Sequence, residues 1–168
     1  MYEGDGFAAR GTLVTEEMAD DEGFYNITSI TGERNGIKIV ELTEVGVPIP
    51  GNEPFVVDNA IRVASDAAPG QLTSDGIGIL LEDGVFLNPY YASWLDPPAY
   101  FEIYSAEPFD DGISGPEDHE LLINFTAAIV PDIVTSETYD ESPSLASTMM
   151  LHVVPVLVNA AMLSMILF

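Results

Sequence analysis

Two groups of side chains in this sequence have the chemistry of a binding site, and the first is acidic. Five carboxylates crowd one short stretch beside a glycine: Asp110, Asp111, Glu117, Asp118 and Glu120. Ca²⁺ takes about six to eight oxygen ligands, and closely spaced carboxylates on a turning loop supply them. The stretch is therefore a candidate calcium site. The sequence lacks the spacing of an EF-hand, so a plain solvated acidic loop is the alternative.

The second group is aromatic and lies just upstream of the acidic stretch. Its members are spread among prolines: Tyr90, Tyr91, Trp94 and Tyr100. Aromatic faces of this kind form platforms for sugar rings, so the group is a candidate carbohydrate site. The alternative is a proline-rich loop whose aromatic rings cover the open edge of a sheet.

Covalent catalysis finds little support in the residue types. The sequence contains no Cys, which removes disulfides, thiol catalysis and Cys-based zinc sites. The two histidines, His119 and His152, are far apart, and a Gly-x-Ser-x-Gly motif is missing. A glycosidase needs two carboxyl groups flanking the scissile bond, but among 28 acidic residues a chance pair means little. We therefore predict that the protein is not an enzyme and has no cofactor apart from the candidate calcium; a hydrolase is the weaker alternative.

The charge balance limits the partners. The chain has 28 Asp and Glu against 4 Lys and Arg, for a net charge of -24. So few cations cannot neutralise a phosphate backbone, which excludes nucleic acid as a partner. Self-repulsion on this scale is least costly where salt screens it or divalent cations bind. A saline or calcium-rich cell exterior suits such a chain, while a merely solvated acidic face is the simpler interpretation.

The elements that must position these groups read as strands and turns. Residues 7–15, 23–31 and 36–43 are rich in β-branched and aromatic side chains, and Asn35-Gly36 and Asp83-Gly84 are hairpin signals. Glycines and prolines interrupt every candidate helix longer than two turns before residue 131. Short strands separated by turn signals predict a mainly β domain over residues 1–131, an antiparallel sandwich or barrel-like fold.

The C-terminal part has a different character. Residues 132–144 read as a linker, and the 24 residues 145–168 contain no formal charge. That length meets the roughly 20 residues of a bilayer span, so the segment is predicted to be a hydrophobic helix that anchors the chain in a membrane or contacts other subunits. The alternatives are a strand packed into the domain, a removable attachment signal, and a strand donated to a neighbouring subunit.

Four segments read together resemble a known group. They are GFYNITSITGERNGIKIVEL (23–42), FVVDNAIRV (55–63), SDGIGILLEDGVFLNPYY (74–91) and YFEIYSAEP (100–108). Their order is similar to the small β-rich domain of bacterial exported proteins that usually carry a PEP-CTERM sorting tail. The tail of this chain lacks the Pro-Glu-Pro signature. The resemblance implies export and β-structure, and it transfers no catalytic residue.

Together these features predict an extracytoplasmic domain, in a periplasm or on a cell surface, that is structural or mediates interactions. It would associate with a membrane or with membrane-protein subunits through residues 145–168. The second hypothesis is a surface module that binds calcium or carbohydrate, with divalent cations as additional partners.

Overall fold

A computed structural model of the chain describes residues 1–63, 70–110, 112–130 and 164–167. These residues form eleven strands and no helix. The strands are β1 (Tyr2–Gly4), β2 (Phe7–Thr15), β3 (Tyr25–Arg34), β4 (Ile37–Leu42), β5 (Ala60–Ile61), β6 (Ile79–Leu81), β7 (Phe86–Ala92), β8 (Ala99–Ser105), β9 (His119–Phe125), β10 (Ala127–Val130) and β11 (Ser164–Leu167). The prediction of a β-rich domain without a long helix before residue 131 is confirmed for the part that is described.

The predicted hairpins follow from local turn chemistry. Asn35 and Gly36 have φ angles of 50° and 84°, the left-handed backbone that Asn-Gly adopts readily. Strands β3 and β4 consequently pair directly across this turn, with Arg34 opposite Ile37. The second predicted hairpin signal, Asp83-Gly84, likewise joins β6 to β7, with Leu80 opposite Phe86.

Antiparallel pairing closes the sheet into a barrel. Eight strands follow one another around it in the order β2, β1, β9, β8, β7, β6, β4 and β3. The pairing of β3 with β2, which runs from Ala9 opposite Arg34 to Thr15 opposite Ile27, joins the two ends of that order. Closure removes the free edges that an open sheet would expose. Of the two predicted β architectures, the barrel-like one is the one observed.

The two ends of the chain share one strand position in the wall. Strand β1 lies between β2 and β9, while β11 lies between β2 and β10. Tyr2 is opposite Phe125 and Leu167 is opposite Ala127, so β11 and β1 follow each other in the same direction. Met1 takes the intervening register, because its amino group donates to the Thr126 carbonyl and Thr126 N–H donates back.

The C-terminal helix predicted for residues 145–168 is not what the structure has at its described end. Residues 164–167 form strand β11, because their backbone groups pair with β10 on one side and β2 on the other. The remainder of the predicted helix and the predicted linker 132–144 lie outside the described residues. Within the described ranges, no helix has the length and apolar character to cross a membrane.

The barrel interior combines an apolar core with one buried ion pair. Leu13, Ile79 and Leu87 are among the most deeply buried of its side chains. In the same interior, the Arg34 guanidinium contacts the Glu102 carboxylate at 2.7 Å, and Glu102 has no solvent exposure. Successive side chains of a strand point to opposite faces, so the neighbours of the inward side chains point to the outer surface.

Candidate functional site

A second apolar cluster lies on the outer side of the barrel. The outward side chains Tyr90 and Ala92 of β7 and Ile103 of β8 pack against Ile49 and Val57, which belong to the long connection after β4. That connection therefore covers β7 and β8 from outside. The chain segments 70–78 and 106–118 flank the same region, and a cleft remains between the three.

The cleft has a volume of about 430 Å³. Its floor comes from the outward faces of β7, β8 and β9, and its sides come from the three connecting segments. The lining residues are Asn52, Phe55, Val56, Ser74, Asp75, Asn88, Tyr90, Trp94, Ile103, Gly112, Ile113, His119 and Glu120. Aromatic rings, amides and carboxylates thus face one space.

Hydrogen bonds fix the two sides of the cleft to each other. Ile113 N–H donates to the Gly51 carbonyl at 2.7 Å, and the Ser105 hydroxyl donates to the Pro50 carbonyl at 2.7 Å. Gly51 has a φ of +83°, and a Cβ added there would lie 2.7 Å from the Ser105 hydroxyl oxygen. Only glycine suits that combination of backbone angle and close approach, so the segment that carries Asn52 is held in place.

The third side of the cleft is held by Asn88 of β7. Its Nδ2 donates to the Asp75 carbonyl at 2.9 Å and to the Ile77 carbonyl at 3.3 Å. Gly76, with a φ of +68°, approaches β7 so closely that an added Cβ would lie 2.2 Å from the Pro89 carbonyl oxygen. Asp75 is consequently presented at the cleft by a fixed backbone.

The candidate aromatic group divides between the two faces of the sheet. The Tyr90 and Trp94 rings lie nearly parallel, with centroids 6.0 Å apart and planes 13° apart, and both line the cleft. Tyr91 and Tyr100 pack on the barrel core instead, with ring centroids 4.8 Å apart. Successive side chains of a strand point to opposite faces, and the sequence alone did not show that Tyr90 and Tyr91 would be separated in this way.

The candidate acidic group is also dispersed. The Asp118 carboxylate accepts from Ala106 N–H at 3.0 Å and from Gly115 N–H at 2.9 Å, so it stabilises its own loop. Glu120 faces the cleft, Asp110 and Glu117 are exposed, and Asp111 lies outside the described residues. In the part of the chain that is described, no three His, Asp or Glu side chains are arranged to hold a metal ion.

Glu120 and Tyr90 form the polar contact at the cleft floor. The Tyr90 hydroxyl donates a hydrogen bond to the Glu120 carboxylate. Burial, and then this carboxylate, hold the pKa of Tyr90 well above its usual range. The phenol therefore stays protonated as a donor and leaves the other lone pairs of Glu120 for a ligand.

Sequence reasoning missed the amides of the cleft. Asn52 is 4% exposed, and its buried Nδ2 has no hydrogen-bond partner in the part of the chain that is described. Asn88 and Asp75 were missed as well, because each lies in the cleft through backbone folding of a connection or through the outward face of a strand. The nearest signal was the Gly51-Asn52-Glu53-Pro54 turn composition, which predicts a turn and says nothing about what the turn faces.

Comparison of the chain with protein-family models, with curated proteins and with solved structures gives no match. The resemblance to the exported PEP-CTERM-type domain therefore stays a prediction.

Proposed function

We propose that this protein is a non-enzymatic carbohydrate-binding domain that acts outside the cytoplasm. The observation that carries the proposal is the parallel pair of Trp94 and Tyr90 at a cleft that also presents amide and carboxylate groups. Sugars have apolar ring faces that lie on aromatic surfaces and hydroxyl groups that need donors and acceptors. The cleft offers both kinds of partner within one space.

The exposure of Trp94 supports a binding role. Its side chain is 64% exposed, although a tryptophan is one of the largest apolar surfaces a protein can bury. Phe55, which also lines the cleft, is 68% exposed. Covering these two side chains removes apolar surface from water, which is favourable by about 25 cal/mol per Å², and a sugar bound in the cleft would contribute to that covering.

The dimensions of the cleft also fit a small ligand. Its volume of about 430 Å³ falls within the range of roughly 300–1,000 Å³ for small-molecule sites. The Glu120 and Asp75 carboxylates give such a ligand several acceptors.

Trp94→Ala tests the proposal in a binding assay. Calorimetric titration with a panel of soluble oligosaccharides should identify a ligand of the wild-type protein, and Trp94→Ala should weaken its binding by about tenfold or more, as expected for a lost stacking surface. Leu95→Ala is the matched control, because Leu95 is the next residue and 40% exposed but does not line the cleft.

Two results would contradict the proposal. One is the absence of binding to any member of the panel, and the other is equal binding by wild type and Trp94→Ala. Release of new reducing ends during the titration would replace binding with hydrolysis as the function of the cleft.

The second candidate function is attachment of the domain to an extracytoplasmic assembly through its C-terminal segment. The observation in its favour is the strand position between β2 and β10, which accepts Ser164–Leu167 by backbone pairing on both sides. Strand addition of this kind is a general way to join chains. A chain ending at residue 144 should stay folded and lose association if attachment is the role. Unfolding of the truncated chain would show that β11 is needed to stabilise its own barrel, which would contradict the attachment proposal.

A further inference from the structure

We infer that the cleft selects sugars that carry a free ammonium group over neutral sugars and over sugar acids. This inference rests on the proposed function and names the ligand class of the same site. Two features of the cleft lead to it: its charge and its aromatic pair.

Carboxylates are the charged groups that line the cleft. They belong to Asp75 and Glu120, and neither Lys nor Arg is among the described lining residues. The four cations of the chain are placed elsewhere. Arg34 is inside the barrel with Glu102, and Arg10 pairs with Glu33. Lys38 lines a groove over β2, β3 and β4, and Arg62 lies over the Phe24 ring.

A sugar acid would therefore meet carboxylates with no cation to neutralise it, which is unfavourable by like-charge repulsion. An ammonium group would meet the reverse situation. It gains Coulomb attraction from Asp75 and Glu120, and the net charge of -24 steers it toward the protein.

The aromatic pair adds a second interaction for a cation. The exposed face of Trp94 belongs to the ring type that binds cations most strongly through its quadrupole, and Tyr90 lies parallel behind it. The Tyr90 hydroxyl brings Glu120 to the same pair. An ammonium group near this assembly has an aromatic face and a carboxylate as simultaneous partners.

The cleft also suits the ring and the hydroxyl groups of a sugar. The Trp94 face offers a surface for a sugar ring, and the carboxylates of Asp75 and Glu120 can accept from hydroxyl groups. A polyamine has neither a ring face nor hydroxyl groups, so these partners distinguish an amino sugar from a polyamine.

The test is calorimetric titration with three oligosaccharides of equal length, built from glucosamine, glucose and glucuronic acid. The buffer keeps the glucosamine amine protonated and the ionic strength low. We expect the glucosamine oligomer to bind about tenfold more tightly than the glucose oligomer, and the glucuronic acid oligomer to bind most weakly. Added salt should reduce the first ratio, because part of the preference is Coulombic.

Paired variants assign the preference to the cleft. Asp75→Asn with Glu120→Gln should bring the glucosamine-to-glucose ratio near one, and Asp75→Asn alone should lower it part of the way. The ratio of the two affinities is the readout, because both carboxylates also accept from neutral sugars. Asp5→Asn with Glu82→Gln removes the same charge from exposed positions outside the cleft and should leave the ratio unchanged.

Equal binding of the glucosamine and glucose oligomers by wild type would overturn the inference and leave the proposed function standing. A preference that survives in the cleft double variant would also overturn it. Failure of all three oligomers to bind, together with the wider panel, would remove the proposed function itself.

Discussion

Two tyrosine–glutamate pairs in this protein have the same chemistry and opposite surroundings. Inside the barrel, the Tyr2 hydroxyl donates to Glu102 at 2.6 Å, and the Arg34 guanidinium contacts the same carboxylate. On the outer side, the Tyr90 hydroxyl donates to Glu120, which faces a cleft. The inner carboxylate has no exposure to solvent, whereas the outer one is exposed.

The inner group is complete. Arg34 donates to the Glu102 carboxylate from Nε and Nη2. Its guanidinium also lies over the Phe7 ring, with Cζ 4.2 Å from the ring centroid. Burial, and then the Glu102 carboxylate, raise the pKa of Tyr2 well above its usual range, so the phenol stays a donor. Such a group joins strands β1, β3 and β8 across the core. The outer carboxylate accepts from the Tyr90 hydroxyl and is open to the cleft.

The largest expected effect comes from disrupting the buried group of Tyr2, Glu102 and Arg34. Glu102→Gln leaves the buried Arg34 without a countercharge, and removing one partner of a buried pair costs about 3–5 kcal/mol. Urea unfolding should show this loss in the free energy of unfolding. The matched change Glu120→Gln should cost less than about 1 kcal/mol, because its carboxylate is open to water. Equal losses in the two variants would show that burial does not distinguish the pairs.

An intermediate effect compares two equally buried amides of the cleft. Asn52 and Asn88 are each 4% exposed, but Asn88 donates to two backbone carbonyls, while the Nδ2 of Asn52 has no acceptor among the described residues. Asn88→Ala should therefore lower the free energy of unfolding by about 1–3 kcal/mol, since it leaves two carbonyl groups unpaired. Asn52→Ala should lower it by clearly less. Urea unfolding of both variants measures the contrast, and a larger loss for Asn52→Ala would contradict it.

The smallest expected effect concerns Asp58, which lies near Asp75. Burial raises the pKa of Asp58 above its ordinary value of 3.8, although hydrogen bonds from Thr73 and Ala60 act in the opposite direction. A raised pKa means that the folded state holds the proton longer than the unfolded state. The contribution of Asp58 to stability is thus fully present below pH 3.8 and is lost as pH rises through the raised value.

Asp58→Asn should remove that loss. At neutral pH the variant should exceed wild type by less than about 1 kcal/mol after solvent screening, and the two should converge in acid. Urea unfolding of both proteins from below pH 3.8 to neutral pH measures the difference in their free energies of unfolding. Asp5→Asn, at an exposed position, controls for the loss of one charge from a strongly acidic chain. A difference that persists unchanged in acid would mean that ionisation of Asp58 is not its cause.

The sequence predicted the strands and turns better than it predicted which side chains of a strand point outward. Asn35-Gly36 and Asp83-Gly84 predicted the β3–β4 and β6–β7 turns, because their backbone preference is local. Which neighbour of Tyr90 and Tyr91 points outward depends on how the barrel closes, and closure joins residues far apart in the chain. The amide of Asn52 lies in a connection without periodicity, so no local pattern could place it at a cleft.

For the C-terminal residues 145–168, composition alone did not distinguish a membrane helix from a strand of the barrel. An uncharged apolar stretch suits a bilayer and also suits a strand in a closed wall, because both environments exclude water. For Ser164–Leu167 the deciding information is the register with Ala127 and Val14, which composition does not contain.

The strand position shared by β1 and β11 has a consequence for the order of folding. The Met1 amino group bonds to Thr126, 125 positions away, and the Tyr2 hydroxyl bonds to Glu102, 100 positions away. Strand β1 therefore has no partner on its β9 side until residue 125 has been synthesised. Contacts of such sequence separation carry a large loop-closure cost, and folding rates fall as they dominate. Closing the seam between β1 and β9 is expected to be a late event, reached after the local hairpins β3–β4 and β6–β7 have formed.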